Sequence, residues 1–401
     1  MNVVFLNPSG QIGGAERSLL DILASLRAAQ PDWTLRLLVT ADGPLVAAAE
    51  ALGVGTTVVP LPPALARLGD GGAGGSASPL ALARALPSGA EYLRRLRRAV
   101  AELSPDVLHT NGFKMHVLGV WAGRGVPVVW HVHDFVGRRP LMSRLLRAHA
   151  RGCAGVVANS DAVAADVRRV CGERFRAGVR TVHNAVDLRA FSPDGPGLEL
   201  DARAGLPPAP SETVRVGLVA TLAWWKGHET FLRAVSLLPP DLPVRAYVVG
   251  GALYETAGSQ RSLDDLRGLA RRLGVDGRVG FTGYVEDAAA AMRALDVVVH
   301  ASTEPEPFGL VIVEAMACGR AVVVSQAGGA AELIHAEEDA LGHAPGDAGE
   351  LARRIEELVR DGALRARLGA AGRAAAERRF DRARLAAELV PVYRAATGAV
   401  S

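Results

Sequence analysis

The chain is poor in the features that would give its chemistry away at once. It has three cysteines (Cys153, Cys171 and Cys318), an odd number with no C-x-x-C spacing, so neither a disulfide framework nor a zinc site is indicated. Each reads as a small buried hydrophobe in a reducing compartment. No Asp-x-Asp pair occurs anywhere, so no catalytic metal is expected. No apolar run reaches the roughly 18 residues needed to cross a bilayer. Met1 to Leu6 lacks a basic leader and reads as a short strand rather than a signal peptide, which points to a cytoplasmic protein. The net charge is only +3, which argues against nucleic acid as the main partner. Lysine is scarce and arginine, alanine and glycine are abundant, a bias that reflects a GC-rich genome rather than a function.

With 401 residues, 49% hydrophobic and 22% charged, the chain can build two cores. Strand-like runs recur at Val3 to Leu6, Leu35 to Val39, Gly55 to Val59, Asp106 to Thr110, Val126 to Val132, Gly155 to Asn159 and Val179 to His183, with helical patterns between them. The alternation resumes at Val214 to Ala220, Val244 to Gly250, Arg278 to Phe281, Asp296 to Ala301 and Ala321 to Ser325. Such alternation implies α/β domains with parallel sheets covered on both faces. The expected division is a first domain over 1–190, a Pro/Gly-rich linker over 191–212, a second domain over 213–380 and a final helix over 381–401. Ligands of parallel sheets bind beyond the C-terminal strand ends, so those ends carry the argument.

In the first half, the loop Asn7 to Glu16 offers Gly13 and Gly14, which can bring backbone amides close to an anion or can simply turn tightly. That loop lacks the G-x-G-x-x-G of a dinucleotide site, which weakens Asp42 as a ribose ligand. His109-Thr110-Asn111 and His131-Val132-His133-Asp134 end two further strands, with His131 and His133 on one face by alternation. Of these, His133 is the better placed to touch a reacting group. Residues 62–88 are rich in Gly, Ala, Ser and Pro and read as a mobile surface loop. Beside it lies a basic amphipathic helix carrying Arg94, Arg95, Arg97 and Arg98, and Leu141 to Arg151 reads as a second with Arg144 and Arg147. Such faces are solvated or dock on an anionic membrane surface.

In the second half, Lys226 follows Thr221 to Trp225 where a helix begins, a good position to neutralise a diphosphate. Gly250-Gly251 and Gly283-Tyr284-Val285 follow strands and leave room for a nucleotide against the backbone. The most informative stretch is Ser302 to Gly319. A strand runs into a loop with Pro305, Glu306 and Pro307, then Phe308-Gly309, a helix bearing Glu314, and Gly319 where a C-cap glycine belongs. Glu306 and Glu314 are eight positions apart and flank the free amides of a helix N-terminus, a set of hydroxyl acceptors around an anion site.

These motifs together resemble the large retaining glycosyltransferase family 4, whose members have the GT-B fold of two Rossmann-like domains facing across a cleft. The resemblance covers nearly the whole chain and is most specific over Ser302 to Gly329, with Gly13 to Glu16, His133-Asp134, Asn184 to Asp187 and Lys226-Gly227 in support. It implies transfer of a sugar from a nucleoside diphosphate sugar to an acceptor hydroxyl with retained configuration, in polysaccharide, glycolipid or natural-product glycosylation, without metal or cofactor. It implies Glu306 on the donor sugar, Glu314 on ribose, amides of Phe308, Gly309 and Leu310 on sugar or phosphate, and Lys226 on the diphosphate. Gly13 and Gly14 would approach the phosphates, His133 the donor sugar and Val285 the base, with the last helix returning to the N-terminal domain. One departure stands out: Thr221 occupies the position, five before the lysine, where the family often has arginine. A GT-B-fold epimerase and a non-catalytic partner protein share the scaffold. Product analysis without acceptor separates the first from a transferase, and donor hydrolysis lost on substitution of Glu306 excludes the second.

Overall fold

The computed structural model describes residues 1–66, 79–172, 178–251 and 260–398. The chain forms two compact units, one from Met1–Ala185 with Arg382–Ser401, the other from Val186–Asp381.

The first unit is built on Asn2–Asn7 (β1), Thr34–Val39 (β2), Gly55–Val58 (β3), Val107–Asn111 (β4), Val128–Val132 (β5), Gly155–Ala158 (β6) and Val179–Thr181 (β7). They pair in parallel in the order β3-β2-β1-β4-β5-β6-β7. Val and Leu dominate the central strands, which are buried on both faces, as an all-parallel sheet between helices requires. The order reverses beside β1, so the β1 and β4 ends diverge into different loops and leave the crevice typical of doubly wound sheets. Helix Arg384–Thr397 lies against helix Gly14–Ala29, and its Leu385, Leu389 and Tyr393 share one core with Leu19, Ile22 and Leu26. Arg384 fastens it further, donating to the carbonyls of His183 (2.5 Å) and Asn184 (2.8 Å).

Part of the stretch read as a mobile loop is helical. Pro63–Ala66 forms one turn, and helix Pro79–Leu103 takes in 79–88 despite Pro87. Its glycine-rich centre, with Gly71 to Gly75, lies outside the described residues. The second basic segment is helix Pro140–His149 followed by a 3-10 turn.

The second unit is built on Val214–Val219 (β8), Val244–Val249 (β9), Val279–Gly283 (β10), Val297–His300 (β11), Ala321–Ser325 (β12) and Leu341–His343 (β13). The parallel order is β10-β9-β8-β11-β12-β13, with its reversal between β8 and β11. β13 has only three residues in a run flanked by acids, too short to show a period. The expected linker over 191–212 is instead part of this unit. Phe191 and Leu200 are buried in its core. Leu200–Ala204 is a short helix whose Asp201 accepts from Tyr247 Oη (2.6 Å), Arg245 Nη1 (2.7 Å) and the Ala209 amide (3.0 Å). A Pro/Gly-rich composition marks absence of regular structure, and these prolines and glycines shape a packed strap rather than a free tether.

Candidate active site

The sheet order explains how residues 80 positions apart meet. Lys226 lies in the loop after β8 and Glu306 in the loop after β11, adjacent strands at the reversal. Lys226 Nζ is 2.6 Å from Glu306 Oε1, and both side chains are largely buried. Glu306 Oε2 accepts from Ser302 Oγ at 2.7 Å. His300 Nε2 stands 3.5 Å from the same oxygen, too far for a good hydrogen bond, so Lys226 and Ser302 do the holding. Burial alone would push the Glu306 carboxyl up, but the Lys226 charge outweighs it, with help from His300, and holds it well below the usual carboxylate range. Glu306 is therefore an anion at neutral pH. Lys226 has three N–H donors and spends one here, which leaves two for another anion.

The backbone around Glu306 is equally fixed. Its amide donates to the Ala327 carbonyl (3.2 Å), and its carbonyl accepts from the Gly329 amide (2.7 Å). Ser325 Oγ holds the Ser302 carbonyl at 2.6 Å. On the Lys226 side, Gly227 adopts φ +75°, and a Cβ there would come within 1.8 Å of the Ala301 carbonyl oxygen. The two loops approach that closely only because residue 227 has no side chain.

Helix Leu310–Ala317 follows, with Gly309 as its N-cap at φ 106°. That left-handed turn brings the chain from the Glu306 loop into the helix, where the Ile312 amide donates to the Gly309 carbonyl (3.0 Å) and the amides of Leu310 and Val311 have no intrahelical acceptor. Phe308 is buried and packs edge-on against Phe380, which anchors the turn. Glu314 is half-buried at the fifth helical position, past the amide end. Val285 packs partly buried at the end of β10, and the Tyr284 carbonyl beside it accepts from Arg203 Nη2 at 2.7 Å. The segment taken for a linker thus positions this loop. Arg261 joins the loop that contains Thr221: its amide donates to the Leu222 carbonyl (2.8 Å), and its guanidinium is 3.4 Å from Glu229.

In the first unit, Gly13 is the N-cap of helix Gly14–Ala29, and its amide donates to Glu16 Oε2 at 3.1 Å. A carboxylate of the chain therefore occupies the anion position, and a phosphate reaching the Gly13 amide would have to displace it. His133 follows β5, with Nε2 3.3 Å from Asn111 Oδ1 and Nδ1 without a partner. Burial lowers its pKa to about 4. Asp134 is held by Arg139 (3.3 Å) and the Phe135 amide (2.8 Å). Sequence reasoning named Ser302 only as part of its stretch and gave no role to His300 or Arg203, because these act through contacts that only the assembled sheet brings about.

Comparison with known proteins gives the family and the fold. The family described as Glycosyltransferase Family 4 matches residues 12–190, and Glycosyl transferases group 1 matches residues 207–375. The D-inositol 3-phosphate glycosyltransferase of Nocardiopsis dassonvillei is 32% identical over 333 residues, 76% of this chain and 75% of that protein. The enzyme of that name from Xylanimonas cellulosilytica is 34% identical over 60% of this chain, and the chain spans 58% of its length. The lipopolysaccharide core biosynthesis glycosyltransferase LpsE of Rhizobium meliloti is 37% identical over 37% of this chain and 40% of its own. Among solved structures, Anabaena HepE in complex with UDP superposes with a TM-score of 0.78 at 28% identity, covering 98% of this chain and 99% of that one. HepE in complex with UDP-glucose gives 0.76 at 27% identity, covering 98% of each. Sucrose-phosphate synthase from Thermosynechococcus elongatus, at 21% identity, has a TM-score of 0.79 over the whole of both chains and shares the fold. Two doubly wound parallel sheets with these relatives define a GT-B protein. The chain belongs to glycosyltransferase family 4.

Proposed function

We propose that this chain transfers a sugar from a nucleoside diphosphate sugar to an acceptor hydroxyl, with retained anomeric configuration and without a metal ion. The Lys226–Glu306 pair carries the reading: an ionised acceptor for sugar hydroxyls beside a cation with two unspent donors. Lys226 would meet the diphosphate, with the amides of Phe308, Gly309 and Leu310 at the helix N-terminus. Arg261 would supply the second positive charge that Thr221 cannot. Glu314 would take ribose hydroxyls and Val285 would lie beside the base. In the first unit, Gly14 would serve phosphate, Gly13 only after Glu16 gives way, and His133 would serve a sugar hydroxyl. Catalysis then comes from positioning and from stabilising the leaving diphosphate. HepE, crystallised with UDP-glucose, makes a uridine donor the first to try. A thermal-shift screen of UDP, GDP, ADP and dTDP sugars in EDTA should give one stabilising class, and NMR of the product should show the donor's anomer. Silence across all donors, or turnover abolished by EDTA, would sink the reading in whole or in its metal-free part.

We further propose that it works on the cytoplasmic face of a membrane. Among the described residues no helix is long and apolar enough to cross one. Helix Pro79–Leu103 buries Tyr92, Leu96 and Val100 and leaves Arg94, Arg95 and Arg98 exposed, while Arg97 donates to the Trp121 carbonyl at 3.0 Å. The exposed Trp121 lies on the adjoining helix Phe113–Gly123, an apolar anchor beside the charge, and the exposed Leu141 lies on helix Pro140–His149, which packs on Phe113–Gly123 in turn. At about 1 kcal/mol per arginine near an anionic surface, three charges supply about 3 kcal/mol, to which burial of the apolar anchors adds. The protein should sediment with phosphatidylglycerol vesicles but not phosphatidylcholine ones. Reversing Arg94, Arg95 and Arg98 to Glu should abolish this, and sedimentation indifferent to lipid charge would overturn it.

A further inference from the structure

The first unit contains a chain of buried hydrogen bonds that ends beside His133. Tyr393 Oη, on the C-terminal helix Arg384–Thr397, is 2.8 Å from His109 Nδ1, and His109 Nε2 is 3.3 Å from His131 Nδ1. Tyr393 and His109 are fully buried, and His131 is 1% exposed. The His131 ring touches that of His133, with centroids 4.0 Å apart.

The directions of these bonds follow from chemistry. Burial pushes the Tyr393 hydroxyl far above its usual pKa, so it keeps its proton, and a buried O–H must be donated. His109 Nδ1 then accepts, and its proton sits on Nε2 and is donated to His131 Nδ1. His131 in turn carries its proton on Nε2, which has no partner in the protein. At His133 the opposite holds. The Asn111 amide oxygen can only accept, so His133 donates through Nε2 and keeps a lone pair on the unpartnered Nδ1.

We propose that Tyr393 and His109 are positioning residues that fix His131 as an N–H donor beside the His133 acceptor. The two touching rings then hold one unspent proton and one unspent lone pair, both buried in the substrate-free protein and together the complement of a single hydroxyl group such as a sugar offers. The C-terminal helix thus sets the state of the β5 end. This rests on the reading of sugar transfer given above and adds a role for residues of the first unit. If the cluster only filled space, Phe at 393 would serve as well as Tyr.

The test is Tyr393→Phe, read by ¹⁵N NMR of histidine-labelled full-length protein and by transfer kinetics. In wild type, His109 and His131 should each show a single Nε2–H tautomer. In Tyr393→Phe both should become mixtures, and kcat should fall about tenfold, the effect of one buried hydrogen bond, with donor KM unchanged. His109→Phe should cause a similar loss, and the double variant no more than either single one. A wild-type His131 protonated on Nδ1, unchanged tautomers or kcat in Tyr393→Phe, or additive losses would each overturn the proposal. The ring states are read without substrate, so absence of turnover in wild type would count against the proposed activity and leave the hydrogen-bond chain to be decided by NMR.

Discussion

Acidification from pH 6.5 to 5.5 is expected to unfold the first unit well before the second. Four of its histidines are neutral, His109, His116 and His131 fully buried and His133 half-buried: burial, reinforced by neighbouring histidines, holds His109 at about 3 and His116 and His131 well below the usual value, and burial holds His133 at about 4. In the unfolded chain each titrates near 6.5. A group whose folded pKa is depressed gives stability that is present above the unfolded pKa and is lost as pH falls towards the folded one. Each histidine therefore takes up a proton on unfolding at pH 5.5, which costs about 1.4 kcal/mol per pH unit. Four together lose about 5 kcal/mol per unit, comparable to the whole stability of many domains. In the second unit, burial lowers His228 to about 4 and also lowers His343, which gives about half that slope. Calorimetric melts at pH 7.5, 6.5 and 5.5 should show one transition moving down faster than the other. His116→Gln, which removes one titrating ring, should reduce the steeper slope by about a quarter. Melts that coincide at all three pH values would show that these rings are not buried neutral in solution.

The strands of both sheets other than β13 were legible because buried parallel strands are runs of Val and Leu bounded by polar residues, and Ala321–Ser325 is found where the sequence puts it. The stretch around Glu306 was legible for a related reason. A loop with two prolines, a glycine and then an apolar helix is local punctuation, and Gly309 is indeed the N-cap. What sequence order cannot show is which strand ends become neighbours. The meeting of Lys226 with Glu306 depends on β8 lying beside β11, and the Tyr393 bond to His109 spans 284 positions. Composition misled at residues 191–212, where Asp201 and its partners Arg245 and Tyr247 bind a Pro/Gly-rich strap into the core. It also hid the role of Glu16, an acid that fills the very anion position the two glycines advertise.

Glu306→Gln is expected to lower kcat by about 10²–10³-fold while the protein still folds, the range seen when one preorganised polar contact to a reacting centre is removed. Glutamine can still accept from Ser302, but it presents no negative charge to Lys226. Lys226→Met should behave differently. It leaves a buried carboxylate without the charge that outweighs its burial, and removing one partner of such a pair typically costs about 3–5 kcal/mol. Stability and donor affinity should therefore fall together. The double variant Lys226→Met/Glu306→Gln distinguishes the two losses, because it has no uncompensated charge left. Its melting temperature should recover most of what Lys226→Met alone loses, whereas transfer should stay at the level of the worse single variant. Recovery of activity along with stability would mean that the pair is scaffolding, and that the diphosphate is held by Arg261 and the helix amides alone. Loss of both in every variant would mean instead that the loops after β8 and β11 need the ion pair in order to form.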